Sequence, residues 1–394
     1  CFMNIKQLIK KYTIKIYKKL THIIPTSKKI IIFQSSNGRN YTGNPRYIYE
    51  EMIRQGLDKK YKCIWFLFDT SIEVPGNCKK IRNNYFPYFW YLMRAGFWVF
   101  DSRQPKYCRK KKNVTYIQTW HGTPLKKLAL DMDRMDMGGS TNIEGYHRKF
   151  LATCNDWDYL VSQNSFSTEI FKSCFAFKDR PILQIGYPRN DILIRDNNKE
   201  KIKEYKKKLG LPLDKKIILY APTWRDNEYS VKGKYKFVSK LDFDKAQKEL
   251  SDEYIFIVKY HYLVSDKIDW SPYKGFVYTF DETKDIAWLY LVSDMMITDY
   301  SSVMFDYSLL KRPMLFFAYD LENYKENLRG FYFDFVEEAP GPISKNTDQL
   351  IQDIKTYDPS QWKEKYQAYS AKYNHVDDGH ASEHIVDLIK KKSR

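Results

Sequence analysis

The chain has 394 residues, more than one hydrophobic core normally serves, so two domains are expected. Its 66 Lys and Arg against 48 Asp and Glu leave a formal charge of +18, which calls for an anionic partner: nucleic acid, an anionic membrane surface or a phosphate-rich substrate. Six cysteines form no Cys-x-x-Cys pair, which argues against a zinc knuckle or disulfide framework and fits a reduced compartment. No apolar run approaches the roughly 20 residues that cross a bilayer, so a soluble or peripheral protein is expected.

Cys1 and Phe2 precede Met3, the expected native start, and are left out of fold reasoning. Residues 3–24 place Ile5, Leu8, Ile9, Tyr12 and Ile16 at helical spacing, with lysines mostly between them. That pattern predicts a basic amphipathic helix, suited either to lie on anionic lipid or to dock on the protein's own core. A strand over 28–33 feeds a polar loop over 34–46 that is too long for a simple turn and so can line a cleft. Asn44 and Arg46 in that loop are candidates for the acceptor side.

A helix over 47–55, a strand over 62–68, a helix over 86–93 and a strand over 97–101 follow, then a basic run at 109–112. Strands alternating with helices predict a parallel sheet with crossover connections. A strand over 114–119 delivers Trp120, His121 and Gly122 into a turn, where α/β folds keep their chemistry. Histidine accepts a proton near neutral pH, its unperturbed pKa being about 6.5, and Gly122 lets a ligand approach the backbone. The competing reading of His121 is a buried side chain paired with a carbonyl. Thr123 is a further acceptor-side candidate.

Residues 131–146 read as a mobile loop. Asp131-Met-Asp133 within it is a weak Asp-x-Asp metal signal, and neither a metal nor a cofactor is expected. A helix over 148–153, a strand over 158–162, cap chemistry at 164–168 before a helix to 175, and a strand over 181–185 complete the first unit, expected to cover 28–195.

A lysine-rich helix over 196–209 marks the junction. Strands at 216–220, 254–259, 275–278, 295–298 and 314–317, with helices at 242–250, 286–292 and 301–310, then predict a second doubly wound unit over 205–375. The tail, 361–392, reads as helical and is expected to cross back over the first unit, with 376–394 set apart as a C-terminal helix.

Three strand ends in the second unit carry polar residues: Thr223 and Arg225, Lys259 and His261, and Asp299, Ser301 and Ser302. Ligands of open α/β sheets gather at the carboxyl ends of strands, so these segments are expected to converge on one donor pocket. Ser301 and Ser302 open a helix whose free amides can hold phosphate, or serve only as caps. Arg225 offers a planar fork to a diphosphate. Lys259 adds charge, and Asp299 and Asp306 are further donor-side candidates.

Trp120-His-Gly-Thr-Pro-Leu-Lys-Lys127, Gly186-Tyr-Pro-Arg-Asn-Asp191, Ala221-Pro-Thr-Trp-Arg225, Lys259-Tyr-His261 and Thr298-Asp-Tyr-Ser-Ser302 occur in that order. Together they resemble the CDP-glycerol glycerophosphotransferase family, the teichoic-acid primases and polymerases, over roughly residues 30 to 385. Asp377-Asp-Gly-His-Ala-Ser-Glu383 resembles a further signature of that family.

The resemblance implies a GT-B fold, two facing Rossmann-like domains, with His121 as general base and His261 on the side of the donor diphosphate. It implies transfer of glycerol phosphate from CDP-glycerol to a lipid-linked acceptor in teichoic acid or capsular polymer synthesis, with release of CMP, at the inner face of the cell membrane. CDP-ribitol as donor, a GT-B sugar transferase releasing nucleoside diphosphate, and a non-catalytic polyanion-binding protein are the alternatives. Tyrosines are spread along the chain without an RNP-like cluster, so nucleic acid is not an expected partner.

Overall fold

Central strands of this protein run apolar at consecutive rather than alternate positions, the pattern of parallel sheets covered on both faces. The computed structural model describes residues 5–108, 110–133, 142–223, 229–231, 234–235, 239–259, 269–281, 283–321 and 330–394. In its first half, β1 (Ser27–Gln34), β2 (Lys62–Leu67), β3 (Cys78–Arg82), β4 (Ala95–Phe100), β5 (Thr115–Gln118), β6 (Tyr159–Ser162) and β7 (Ile182–Gln184) form one sheet. Its order is β3-β2-β1-β4-β5-β6-β7, and every pairing is parallel.

The second half repeats the plan. After β8 (Lys216–Ala221), a small antiparallel hairpin of β9 (Tyr229–Val231) and β10 (Lys234–Tyr235) intervenes. Then β11 (Tyr254–Val258), β12 (Val277–Thr279), β13 (Met295–Thr298), β14 (Met314–Phe317) and β15 (Ile343–Ser344) join β8 in the order β12-β11-β8-β13-β14-β15. Both units are therefore doubly wound, as expected. Their strand order reverses between β1 and β4 and between β8 and β13, and crevices for ligands open at such points.

Successive side chains of each strand serve opposite faces. In the first sheet Ile32, Ile64, Phe66, Trp98 and Phe100 pack on one side, and Ile31, Phe33, Trp65, Phe97 and Val99 on the other. The second face is closed by Ile48 and Met52 of the helix Gly43–Arg54 together with Ile385, Val386 and Ile389 of the helix Ala381–Ser393. Burying each of those apolar side chains is worth about 1.5–3 kcal/mol, so the tail is part of the first unit's core. The helical tail consists of two helices, Pro359–Tyr373 and Ala381–Ser393, separated by a turn in which Gly379 takes a φ of 87°.

The N-terminal helix, Ile5–Leu20, divides its faces. Tyr17 is buried with its ring 5.4 Å from Phe89, and Ile14 and Leu20 pack beside it, so this face docks on the first unit. Tyr12 and Ile16 stand 56% and 53% exposed. The edge strand β3, Cys-Lys-Lys-Ile-Arg, is too polar to be read as a strand from the sequence; charge on an edge is how sheets avoid pairing with other chains.

The two units are tied together beyond the His121 turn. Lys126 bridges Phe331, Lys127 N donates to Gly330 O at 2.9 Å and Tyr332 N to Leu125 O at 3.0 Å.

Candidate functional site

The turn after β5 is strained where it presents His121. Trp120 has a φ of 51°, a left-handed conformation that costs a non-glycine residue on the order of 1–2 kcal/mol. Its N–H donates to Gln118 Oε1 at 3.0 Å, and Asn44 Nδ2 donates to the carbonyls of Thr119 and Trp120 at 3.2 and 3.0 Å. The Trp120 ring lies buried and stacks on the His121 ring at 4.4 Å.

His121 itself is exposed to the cleft, and its Nδ1 lies 2.9 Å from the Asp101 carbonyl at the end of β4. A carbonyl only accepts, so Nδ1 carries the proton and Nε2 of the neutral ring holds the lone pair. Both sequence readings are present in part: the histidine is carbonyl-paired, but not buried. The Asp101 carboxylate accepts from Ser36 N at 2.9 and 3.1 Å and from Ser102 Oγ at 2.6 Å. Burial pushes the Asp101 carboxyl above its usual range, and the nearby imidazole and hydrogen bonds oppose this.

On the second unit, Thr223 N donates to Asp299 Oδ1 at 2.8 Å, joining the ends of β8 and β13. Ser301 and Ser302 are half-buried and lead into a short helix, Val303–Tyr307, that tightens into a 3-10 turn at Ser308–Leu310. A Cβ on Gly122 would lie 3.0 Å from Ser302 Oγ, so the His-Gly turn and the serine turn touch across the gap. Lys259 lines the same gap and donates from Nζ to the Asp281 carbonyl at 2.9 Å. Arg225 and His261 lie outside the described residues.

Two buried ion pairs cross between the units. Arg189, from the turn Pro188–Asn190, reaches the Asp306 carboxylate with Nη2 and donates from Nη1 to the His121 carbonyl at 2.8 Å. Asn190 Nδ2 donates to the other Asp306 oxygen at 3.0 Å. Arg46 donates from Nη1 to Asp285 Oδ2 at 2.9 Å, an atom that also accepts from Tyr47 Oη at 3.0 Å, while Asp285 Oδ1 caps the helix Ile286–Val292 through Ala287 N. Between these pairs lies a cleft of about 290 Å³, with Arg39, Asn40, His121, Lys259, Lys284 and Tyr290 among its walls. Several cations around one exposed imidazole suit a phosphorylated substrate.

The structure thus brings His121, Gly122, Ser302 and Lys259 together. Thr123 is buried and donates to Gln163 Oε1 at 2.6 Å, within the first unit. Asn44 pins the turn, Arg46 and Asp306 clasp the units, and Asp299 orders the end of β8. Asp131 accepts from Tyr332 Oη and Ser173 Oγ, and Asp133 pairs with Lys127. Sequence reasoning missed Asp101, Arg189, Lys284 and Asp285. Arg189 at least sits inside a segment, 186–191, already singled out for its resemblance.

Two Rossmann-like units facing each other across a cleft at the carboxyl ends of their strands are the GT-B architecture. The chain belongs to the CDP-Glycerol:Poly(glycerophosphate) glycerophosphotransferase family, whose model matches residues 16–391. It is 44% identical over 394 residues to a teichoic acid poly(glycerol phosphate) polymerase of Bacillus subtilis, covering 98% of this chain and 52% of that protein. A teichoic acid glycerol-phosphate transferase of Staphylococcus aureus is 40% identical, with 98% of each chain covered. The chain therefore spans about half the length of some curated relatives, the Bacillus subtilis polymerase among them, and nearly all of others. A solved structure of the wall teichoic acid polymerase TagF superimposes with a TM-score of 0.92 at 44% identity, covering 98% of this chain and 94% of that one.

Proposed function

We propose that this protein transfers glycerol phosphate from CDP-glycerol to a hydroxyl of a lipid-linked, glycerol-containing acceptor in teichoic acid synthesis, releasing CMP. His121 Nε2 takes the proton of the acceptor hydroxyl as its oxygen attacks the phosphorus that carries glycerol. The bond from that phosphorus to the bridging oxygen breaks, and CMP leaves with the electron pair. Such transfers need positioning and charge stabilisation more than covalent help from the protein. Lys259 and Lys284 at the cleft wall supply positive charge on the donor side.

The observation that carries this reading is the hydrogen bond from His121 Nδ1 to the Asp101 carbonyl, which leaves the Nε2 lone pair available on a ring that lines the cleft. The family's name and the glycerol phosphate enzymes among the relatives support glycerol over ribitol as the donor polyol. Arg225 and His261 are the further donor ligands that the resemblance implies.

No helix among the described residues is long and apolar enough to cross a membrane. Exposed Tyr12 and Ile16, with Lys15, Lys18 and Lys19 on the same helix, support peripheral attachment to an anionic surface at the cytoplasmic face. The test of the reaction is to incubate the protein with CDP-glycerol and a lipid-linked glycerol phosphate acceptor. CMP and an acceptor heavier by glycerol phosphate units are expected; a nucleoside diphosphate product, or no turnover, would overturn the proposal.

A further inference from the structure

We infer that Arg189 is the positioning residue that sets the distance between the His121 base and the donor-side serine turn. The inference rests on the reading above, in which His121 receives the acceptor proton. Arg189 meets the strained turn twice, with its side chain directly and with its main-chain N–H through Asn44. The guanidinium holds the carbonyl of His121, and Arg189 N donates at 3.1 Å to Oδ1 of Asn44, whose amide holds those of Thr119 and Trp120.

The other arm of the fork grips Asp306, four residues after Ser302 on the same short helix. Asp306 is 1% exposed and the Arg189 side chain only 16%, so the pair is shielded from competing water. Its tyrosine neighbour, Tyr187, places a buried ring 5.5 Å from the guanidinium carbon. Each terminal nitrogen takes one of the two turns, Nη1 the His121 carbonyl and Nη2 the Asp306 carboxylate, so the fork joins them. One side chain thereby fixes the base in one unit against the serine turn in the other.

The length of that link matters because displacing reacting groups by about 1 Å can cost on the order of 100-fold in rate. Arg189→Ala is accordingly expected to lower kcat about 100-fold while the KM for CDP-glycerol changes by less than about threefold. Millimolar guanidinium added to Arg189→Ala should restore part of the lost turnover, and should restore none to His121→Ala. Arg189→Lys, whose single ammonium cannot span both the His121 carbonyl and Asp306, is expected to melt close to the wild type yet stay slow.

Wild-type kcat in either Arg189 variant, or a loss confined to donor KM, would overturn the inference; should Arg189→Ala fail to fold, Arg189→Lys decides alone. CMP release by the wild type is measured in the same series. Its absence defeats the transferase reading itself, whereas wild-type turnover with undiminished Arg189 variants defeats only the positioning role.

Discussion

Asp101 and His121 meet through the backbone of one and the ring of the other: the carbonyl at the end of β4 takes the Nδ1 proton at 2.9 Å, while the Asp101 carboxylate turns away to the Ser36 amide. The ring is thus oriented by main chain rather than by an acid. His121→Gln is expected to reduce turnover by about 10²- to 10⁴-fold. The melting temperature should hardly move, because the imidazole is exposed; a variant that melts early would mean the ring is structural.

Gly122 leaves room that Ser302 fills. Gly122→Ala puts a methyl 3.0 Å from Ser302 Oγ and should destabilise the protein by about 1–3 kcal/mol. Ser302→Ala in that background, which leaves only a 3.4 Å approach to the serine Cβ, should recover most of the loss. Denaturant titration of the four proteins checks this; strictly additive effects would show that the turns do not touch in solution.

The second clasp is open to a similar cycle. Arg46 and Asp285 are 14% and 4% exposed, so Arg46→Ala strands a desolvated carboxylate and should cost about 3–5 kcal/mol. Arg46→Ala with Asp285→Asn should be milder than Arg46→Ala alone, since asparagine can still cap the helix Ile286–Val292. Chemical denaturation gives both numbers.

Asp377 receives Tyr187 N and Gln163 Nε2, and burial pushes its carboxyl up to about 7 from a reference of 3.8. The folded value lies above the unfolded one, so holding the proton favours the folded state. That contribution is complete below about pH 4 and is lost as pH rises through about 7. Asp377→Asn should therefore gain stability relative to the wild type between about pH 5 and pH 8. Melting curves across that range test it; parallel pH profiles would refute it.

Tyr12→Glu with Ile16→Glu should weaken sedimentation with phosphatidylglycerol vesicles without lowering the melting temperature, because both side chains are exposed. Equal sedimentation of variant and wild type would remove this helix from the membrane contact.

The alternation of apolar strands with amphipathic helices was enough to read both doubly wound units, because continuous apolar runs have few other uses in a chain of this length. His121 stood out in the sequence from its place at a strand end next to glycine, and in the fold it lines the cleft. What escaped were residues whose importance lies in partners far along the chain: Arg189 bonds Asp306 across 117 residues, and Arg46 bonds Asp285 across 239. No local pattern encodes such a pairing. The left-handed Trp120 was equally hidden, since a bulky aromatic argues against that conformation and distant partners such as Asn44 help to hold it. The stripe read on the first helix included Tyr12 and Ile16, which face solvent, and omitted Tyr17, which docks.

The return of Ile385, Val386 and Ile389 to the first unit also constrains how the protein matures. During synthesis Ile48 and Met52 emerge hundreds of residues before the side chains that will cover them. The early half must therefore wait on the ribosome with an apolar seam uncovered, a natural place for a chaperone to bind. Clipping the chain after Tyr373 would leave that seam open for good, even though every strand of both sheets would still be present.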